Sequence, residues 1–170
     1  NVFLGYYKDK QATSETLADG WLHSGDLGEF RDGFLYITGR KKDILITAGG
    51  KNIAPKNLES ELKQHPAVGE AVVIGDRRPY LTALISLDVE ALPTYCGERG
   101  IDLATAHENG RLRSDIQDAV DKMNAKVARV EQVKKFVILP RPLSIETGEL
   151  TPTMKVKRKI VNEKWAHLID

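Results

Sequence analysis

Leu112, Ile116, Val120, Met123, Val127 and Val130 recur at three- and four-residue steps. An apolar stripe of that period is buried by laying a helix against a second apolar surface, and it predicts a helix over about 112–130. The chain supplies such a surface. Val68 to Ile74 and Leu81 to Leu87 read as strands joined by Asp76-Arg77-Arg78-Pro79, and Val133 to Leu139 as a third. Pro55 opens a further helix, with Leu58 and Leu62 on one face and His65-Pro66 as its stop. Residues 88–110 read as helical up to the loop signal Glu108-Asn109-Gly110. Residues 140–152 read as a loop. A last helix is expected from near Val156 to Leu168, with Ile160, Val161, Trp165 and Leu168 facing inward. The order after residue 43 is β-α-β-β-α-α-β-α, which predicts an α+β domain: a small mixed β-sheet flanked by helices.

The first forty residues read differently. They are mixed and polar after Tyr7, and Trp21-Leu22-His23-Ser24-Gly25-Asp26 closes on a turn signal. Glu29 to Ile37 predicts a β-hairpin, because Asp32-Gly33 supplies the φ > 0 positions of a two-residue turn. Ile44 to Thr47 then reads as a short strand, and Ala48-Gly49-Gly50-Lys51-Asn52 as a glycine loop. The domain boundary is expected near residues 40–43. The opening Asn1-Val2-Phe3-Leu4-Gly5-Tyr6-Tyr7 reads as the middle of a longer protein.

At 170 residues, 41% hydrophobic and 29% charged, the chain can bury one core with a short appendage. No apolar run reaches the ~20 residues that cross a bilayer, and no signal peptide opens the chain. A lone cysteine, Cys96, excludes an internal disulfide and fits a reducing compartment. With no histidine close in sequence it reads as a buried free thiol. The net charge of +1 gives no global field for nucleic acid. Arg40-Lys41-Lys42 and Lys155, Lys157, Arg158, Lys159 form two basic clusters. These read either as solvated faces or as two parts of a site for one small polyanion. No aromatic residues that would stack bases are interleaved with them.

Four segments carry a resemblance. Gly20 to Asp26, Leu35-Tyr36-Ile37-Thr38-Gly39-Arg40-Lys41-Lys42-Asp43, Gly49-Gly50-Lys51-Asn52-Ile53-Ala54-Pro55 and Glu149-Leu150-Thr151-Pro152-Thr153-Met154-Lys155-Val156-Lys157-Arg158 resemble the adenylate-forming superfamily in order and spacing. That group holds acyl-CoA synthetases, luciferases and peptide-synthetase adenylation domains. Many of its members carry glycine before the last lysine. Met154 there, and the long segment 88–132, resemble the long-chain fatty acyl-CoA synthetase branch. The resemblance implies that residues 1–41 are the C-terminal tail of a larger N-terminal adenylation domain, carrying the hairpin and a ribose-binding motif. It implies that residues 42–170 are the mobile C-terminal lid. ATP, Mg2+ and coenzyme A are the implied cofactors, and a fatty acid and the chain's own N-terminal domain the implied partners. The phosphate loop, acyl pocket and magnesium ligand would lie in that absent domain, so the fragment alone should not make acyl-CoA. The implied location is cytoplasmic, with room for a peripheral membrane contact of the parent; no nucleic acid and no transmembrane segment are implied.

The same resemblance implies roles for single residues. Asp26 would hold the ribose of ATP through its vicinal hydroxyls; otherwise it is a turn aspartate capping its own backbone. Arg40 would contact the nucleotide with its planar fork of donors, or stand as a surface arginine. Lys42 would be the hinge, where backbone torsion and not charge matters, or a solvated lysine. Gly49 and Gly50 would line the pantetheine tunnel, where bare backbone can approach a ligand, or form a plain loop. Lys155 would be the catalytic cation of adenylation, a role for which Lys157 and Lys159 are the competing basic residues. Two rivals stand beside this reading. One is a stand-alone non-catalytic binding or regulatory module. The other is a different adenylate-forming ligase, luciferase-like or aryl-CoA-forming, against which the missing glycine before Lys155 speaks.

Overall fold

The structure, a computed structural model, describes residues 3–169, so Asn1 and Val2 of the opening segment and the final Asp170 lie outside it. The chain divides between Ile44 and Leu45 into two compact units. The first unit starts with helix α1 (Lys10–Thr16), whose N-terminus is capped where Ala12 N donates to Asp9 Oδ1 at 2.9 Å. Strands β1 (Leu17–Ala18) and β2 (Trp21–Leu22) pair antiparallel. Strands β3 (Asp26–Arg31) and β4 (Phe34–Arg40) form the expected hairpin. Its turn residues Asp32 and Gly33 have φ of 50° and 82°, both positive as the tight right-twisting turn requires. A 3-10 turn, Lys41–Asp43, follows. The sequence did not announce α1, because no residue of it is buried and so no apolar period marks it.

The second unit is the α+β domain. Strands β5 (Leu45–Ile46) and β6 (Asn52–Ile53) pair around the glycine loop, and helix α2 (Pro55–Leu62) begins on its proline. The long strands β7 (Val68–Ile74) and β8 (Leu81–Leu87) pair antiparallel. Helix α3 (Leu92–Arg99), a 3-10 segment Leu103–Glu108 and helix α4 (Gly110–Asn124) then cross over to β9 (Val133–Ile138), which runs parallel to β8. Helices α5 (Arg158–Lys164) and α6 (Ala166–Ile169) end the chain. The sheet order is β7-β8-β9, a small mixed sheet.

Both faces of that sheet are covered. Ala71, Val73, Ala83, Ile85 and Phe136 join Leu58, Leu62, Leu112 and Ile116 of α2 and α4 in one core. Val72, Ile74 and Leu84 face the other way and pack with Leu143, Leu150, Val161 and Trp165. Every residue of β8 is therefore buried, which is why apolar residues stand on both of its faces, with only Thr82 and Ser86 polar among its seven residues. Each fully buried Leu or Ile contributes about 1.5–3 kcal/mol.

Several bounds differ from expectation for local reasons. The helix expected to 130 ends at Asn124, whose amide turns aside to grip the next strand: Asn124 Nδ2 donates to Val133 O and Val133 N donates to Asn124 Oδ1, both at 2.9 Å. Val127 still packs on the core, but Val130 is exposed in a 3-10 turn. Residues 88–110 are broken by Gly100, left-handed at φ 64°, which caps α3. The final helix starts only at Arg158 and breaks at Trp165. The strand expected over 44–47 keeps two residues, because Thr47 turns into the glycine loop.

Candidate functional site

Asp26 and Arg40 are direct partners across the β3–β4 hairpin. Arg40 Nε donates to Asp26 Oδ1 at 2.9 Å, and Asp26 N donates to Ser24 Oγ at 3.1 Å. Hairpin register alone thus brings together two residues that the sequence separates by fourteen positions. An exposed pair of this kind contributes only about 0–1 kcal/mol to the fold. Arg40 occupies one of the roughly four lone-pair sites of the carboxylate, and the guanidinium keeps donors of its own. The arrangement suits a ligand that offers vicinal hydroxyls beside an anion. Lys42 is exposed in the 3-10 turn directly after β4, two residues before the division between the units.

The glycine loop is tied at its base by Thr47, itself buried. Thr47 N donates to Lys51 O at 3.1 Å, Gly50 N to Thr47 O at 2.8 Å and Lys51 N to Thr47 Oγ1 at 3.2 Å. Gly49 and Gly50 are exposed above it. Gly50 has φ of 77°, a conformation that side chains rarely adopt, while a side chain at Gly49 would meet only Thr47 Oγ1 at 3.9 Å. Bare backbone is therefore presented outward at both positions.

Lys155 sits at the exposed tip of a small hairpin. Leu150 bridges Val156 antiparallel, Thr151 N donates to Lys155 O at 2.8 Å, and Lys157 N donates to Glu149 O at 2.8 Å. Lys155 N in turn donates to Thr151 Oγ1 at 3.0 Å. Among the described residues no carboxylate pairs with its ammonium group. Met154, where many members of the resembling family carry glycine, has φ of 58°. The position demands the left-handed region, which glycine enters freely and other residues at a cost of roughly 1–2 kcal/mol. The basic cluster around Lys155 is not uniform. Lys159 lies 4.0 Å from Glu163. Arg158 pairs with Glu59, and its Nη1 donates to Val73 O at 3.1 Å while Val73 N donates to Glu59 Oε1 at 2.7 Å. Those two side chains complete the free edge of β7, so Arg158 is part of the frame. Burial pushes the Glu59 carboxyl up, against the opposing pull of Arg158.

The base of the Lys155 hairpin holds residues that sequence reasoning missed. Glu149 is fully buried, yet every acceptor direction is used. Arg141 clamps it with two parallel bonds of 2.8 Å, Trp165 Nε1 donates at 3.1 Å, Ser144 N at 3.4 Å, and Thr147 Oγ1 donates as well. The Arg141 guanidinium also lies 5.0 Å from the Trp165 ring centre. Glu149 opens the fourth motif segment, yet the linear sequence does not mark it as buried: Arg141, Ser144 and Thr147 fold back on it from the preceding loop, and Trp165 comes from the end of α5.

Burial alone would raise the Glu149 carboxyl, but the hydrogen bonds from Arg141 and Thr147, the charge of Arg141 and the Ser144 amide hold it down at about 2. A carboxyl with a depressed folded-state pKa stabilises the fold fully above its ordinary value of 4.5, and that contribution is lost as pH falls toward 2. At neutral pH it amounts to at most about 3 kcal/mol, less after solvent screening at the half-exposed Arg141. The stability gap between the protein and its Glu149→Gln variant should therefore be widest near neutrality and close between pH 4.5 and 2. Urea unfolding at a series of pH values measures it, and a gap independent of pH would contradict the assignment.

Among the described residues no cluster of three or more His, Cys, Asp or Glu side chains is arranged to hold a metal, and no helix is long and apolar enough to cross a membrane. Cys96 is a buried free thiol, and burial pushes its thiol up.

Comparison with known proteins fits this geometry. The chain is 49% identical over 177 aligned residues to a long-chain-fatty-acid–CoA ligase of Mycobacterium tuberculosis, an alignment that takes in 99% of this chain and 29% of that protein. It spans less than a third of that relative's length. The adenylation domain of a carboxylate reductase from Mycobacterium chelonae superposes with a TM-score of 0.77 at 26% identity, over 98% of this chain and 25% of that one. An o-succinylbenzoate–CoA synthetase from Bacillus subtilis, solved with its acyl-adenylate intermediate, superposes with a TM-score of 0.66 at 27% identity, over 94% of this chain and 28% of that one. Residues 42–170 match the AMP-binding enzyme C-terminal domain, and the chain belongs to that family.

Proposed function

We propose that the chain is the C-terminal part of an AMP-forming long-chain fatty-acid–CoA ligase, and that its own residues serve both half-reactions. Residues 1–41 are the end of the large adenylation domain and 42–170 the lid. In the first half-reaction a fatty-acid carboxylate oxygen attacks the α-phosphorus of ATP, the bond to the β-phosphate breaks, and pyrophosphate leaves. In the second the coenzyme A thiol, losing its proton, attacks the acyl carbonyl and expels AMP. The observation that carries this reading is Lys155, an ammonium without a carboxylate partner among the described residues, at the exposed tip of a hairpin whose base is buried. Two anions approach each other in adenylation, and a fixed cation stabilises the pentavalent phosphorus more than the separated reactants. Asp26 receives the ribose hydroxyls and Arg40 orients that carboxylate and reaches toward the nucleotide. Gly49 and Gly50 line the path of pantetheine. The described residues offer no cluster that would hold Mg2+, so its ligands would lie in the N-terminal domain, where it would supply charge neutralisation at the phosphates. The name of the Mycobacterium tuberculosis relative and the acyl-adenylate bound by the Bacillus subtilis neighbour support this assignment. Action in the cytoplasm, with membrane association only through the rest of the parent, goes with it.

The full-length protein should catalyse fatty-acid-dependent exchange of pyrophosphate into ATP, and make acyl-CoA and AMP once coenzyme A is added. Exchange with no fatty acid at all would overturn the reading. Asp26→Ala should raise the KM for ATP about tenfold or more, the scale of a lost charge-assisted hydrogen bond, and leave those for fatty acid and coenzyme A near their starting values. Unchanged ATP affinity would return Asp26 to the role of a hairpin residue.

A further inference from the structure

We propose that Glu149, clamped by Arg141, is the positioning residue for Lys155: its carboxylate fixes the base of the hairpin from whose tip the lysine reaches the reacting phosphate. This rests on the reading of Lys155 as the adenylation cation. The connection between the two residues is continuous. Glu149 N and Leu150 N both donate to Ser144 O at 3.1 Å, and Glu149 O accepts from Lys157 N across the hairpin base. One step up, Leu150 bridges Val156; one step further, Thr151 holds Lys155 through its N–H, its hydroxyl and, by way of Met154 N at 2.8 Å, its carbonyl. Glu149 and Leu150 are 0% and 2% exposed, whereas residues 152–155 are all exposed. The hairpin is thus rigid where it is rooted and open where it acts.

What roots it is the carboxylate. Its two oxygens gather Arg141 and Ser144 from the loop after β9, Thr147 from the same loop and Trp165 from the end of α5. No apolar residue could join those four donors, and a neutral amide would turn an NH2 toward the Arg141 fork. A buried ion pair is an expensive way to gain stability, because desolvation offsets most of the attraction. Its directional bonds do hold backbone in place, which is what a catalytic group at the end of a loop needs. Met154, kept at a positive φ just before Lys155, has its conformation set by the same hairpin.

The test is a double-mutant cycle in the full-length ligase, with pyrophosphate exchange and thioester formation from pre-made acyl-adenylate measured separately. Glu149→Gln should slow adenylation by roughly 10–100-fold, the effect of displacing a reacting group by about 1 Å, through kcat and with the KM for ATP little changed. Thioester formation should be nearly spared. In a Lys155→Ala background Glu149→Gln should cost adenylation almost nothing more, since residues that act as a unit are non-additive. Arg141→Lys, which keeps the charge but loses the fork, should show the same pattern more weakly, and stands in if Glu149→Gln does not fold. Equal loss in both half-reactions, or a full additional loss on top of Lys155→Ala, would overturn the positioning role while leaving Lys155 in place. If Lys155→Ala alone spared adenylation, the functional reading itself would fail.

Discussion

Lys155→Ala in the full-length protein is expected to cut the proposed adenylation by roughly 10²–10³, the usual loss when one preorganised charge contact to a transition state is removed. Thioester formation from a pre-made acyl-adenylate should be largely retained, because phosphorus is not attacked in that step. The structure makes this a clean substitution. All of the hydrogen bonds that residue 155 makes within the hairpin are backbone bonds, its N–H to Thr151 and its carbonyl from Thr151, and alanine keeps both. The side chain is exposed. Loss of activity can therefore be read as loss of the ammonium. The neighbouring basic residues serve as internal controls. Lys159 lies near Glu163 on α5, and Arg158 is committed to Glu59 and the edge of β7. Lys157→Ala should leave adenylation within a few-fold of the parent. If Lys157→Ala and not Lys155→Ala removed exchange activity, the catalytic role would move along the hairpin by two residues.

Much of the fold was legible because packing and periodicity agree. Strands β7 and β8 match their expected bounds to the residue, since apolar residues dominate both strands and Asp76-Arg77-Arg78-Pro79 marks the turn sharply. The β3–β4 hairpin was equally plain, because only residues tolerant of positive φ suit positions 32 and 33. What failed to show were features decided by a single side-chain contact. The apolar stripe of α4 runs on past its real end, and it is the Asn124 amide, bonded to Val133, that stops the helix. The same holds for the site. Motif order singled out Asp26, Arg40 and Lys155, but not the Asp26–Arg40 pairing, which is a matter of hairpin register. The burial of Glu149 stayed hidden because a carboxylate in a run of loop residues looks solvated until the loop folds residues 141, 144 and 147 back onto it and Trp165 arrives from the end of α5. Met154 was the converse case. It departs from the glycine that the resemblance leads one to expect, yet its φ of 58° is a conformation that glycine would have served.

Lys42→Pro is expected to separate the half-reactions in the opposite sense to Lys155→Ala. The proposed hinge role asks residue 42 to change its backbone torsions between adenylation and thioester formation, and proline fixes φ near −65°. Lys42 lies in a 3-10 turn, where φ is near −50 to −70°, so the ring suits residue 42 in this state. The same ring disfavours helical torsions at the preceding Lys41, which takes part in that turn. A single torsional state should thus be trapped. If that state is competent for adenylation, acyl-adenylate will accumulate in single-turnover experiments while acyl-CoA formation drops on the order of 10²-fold, the cost of failing to bring reacting groups into line. Lys42→Ala is the necessary control, since it removes the ammonium but leaves the backbone free. The Lys42 side chain is exposed, so this variant should fold normally and keep most of its thioester activity. The two variants are to be compared side by side for adenylate and thioester products from one loading of ATP and fatty acid. Acyl-CoA formation at the parental rate by Lys42→Pro would remove the hinge from residue 42 and shift it to Lys41 or Asp43 in the same turn. A loss with Lys42→Ala as deep as with Lys42→Pro would instead show that charge, and not torsion, is what position 42 supplies.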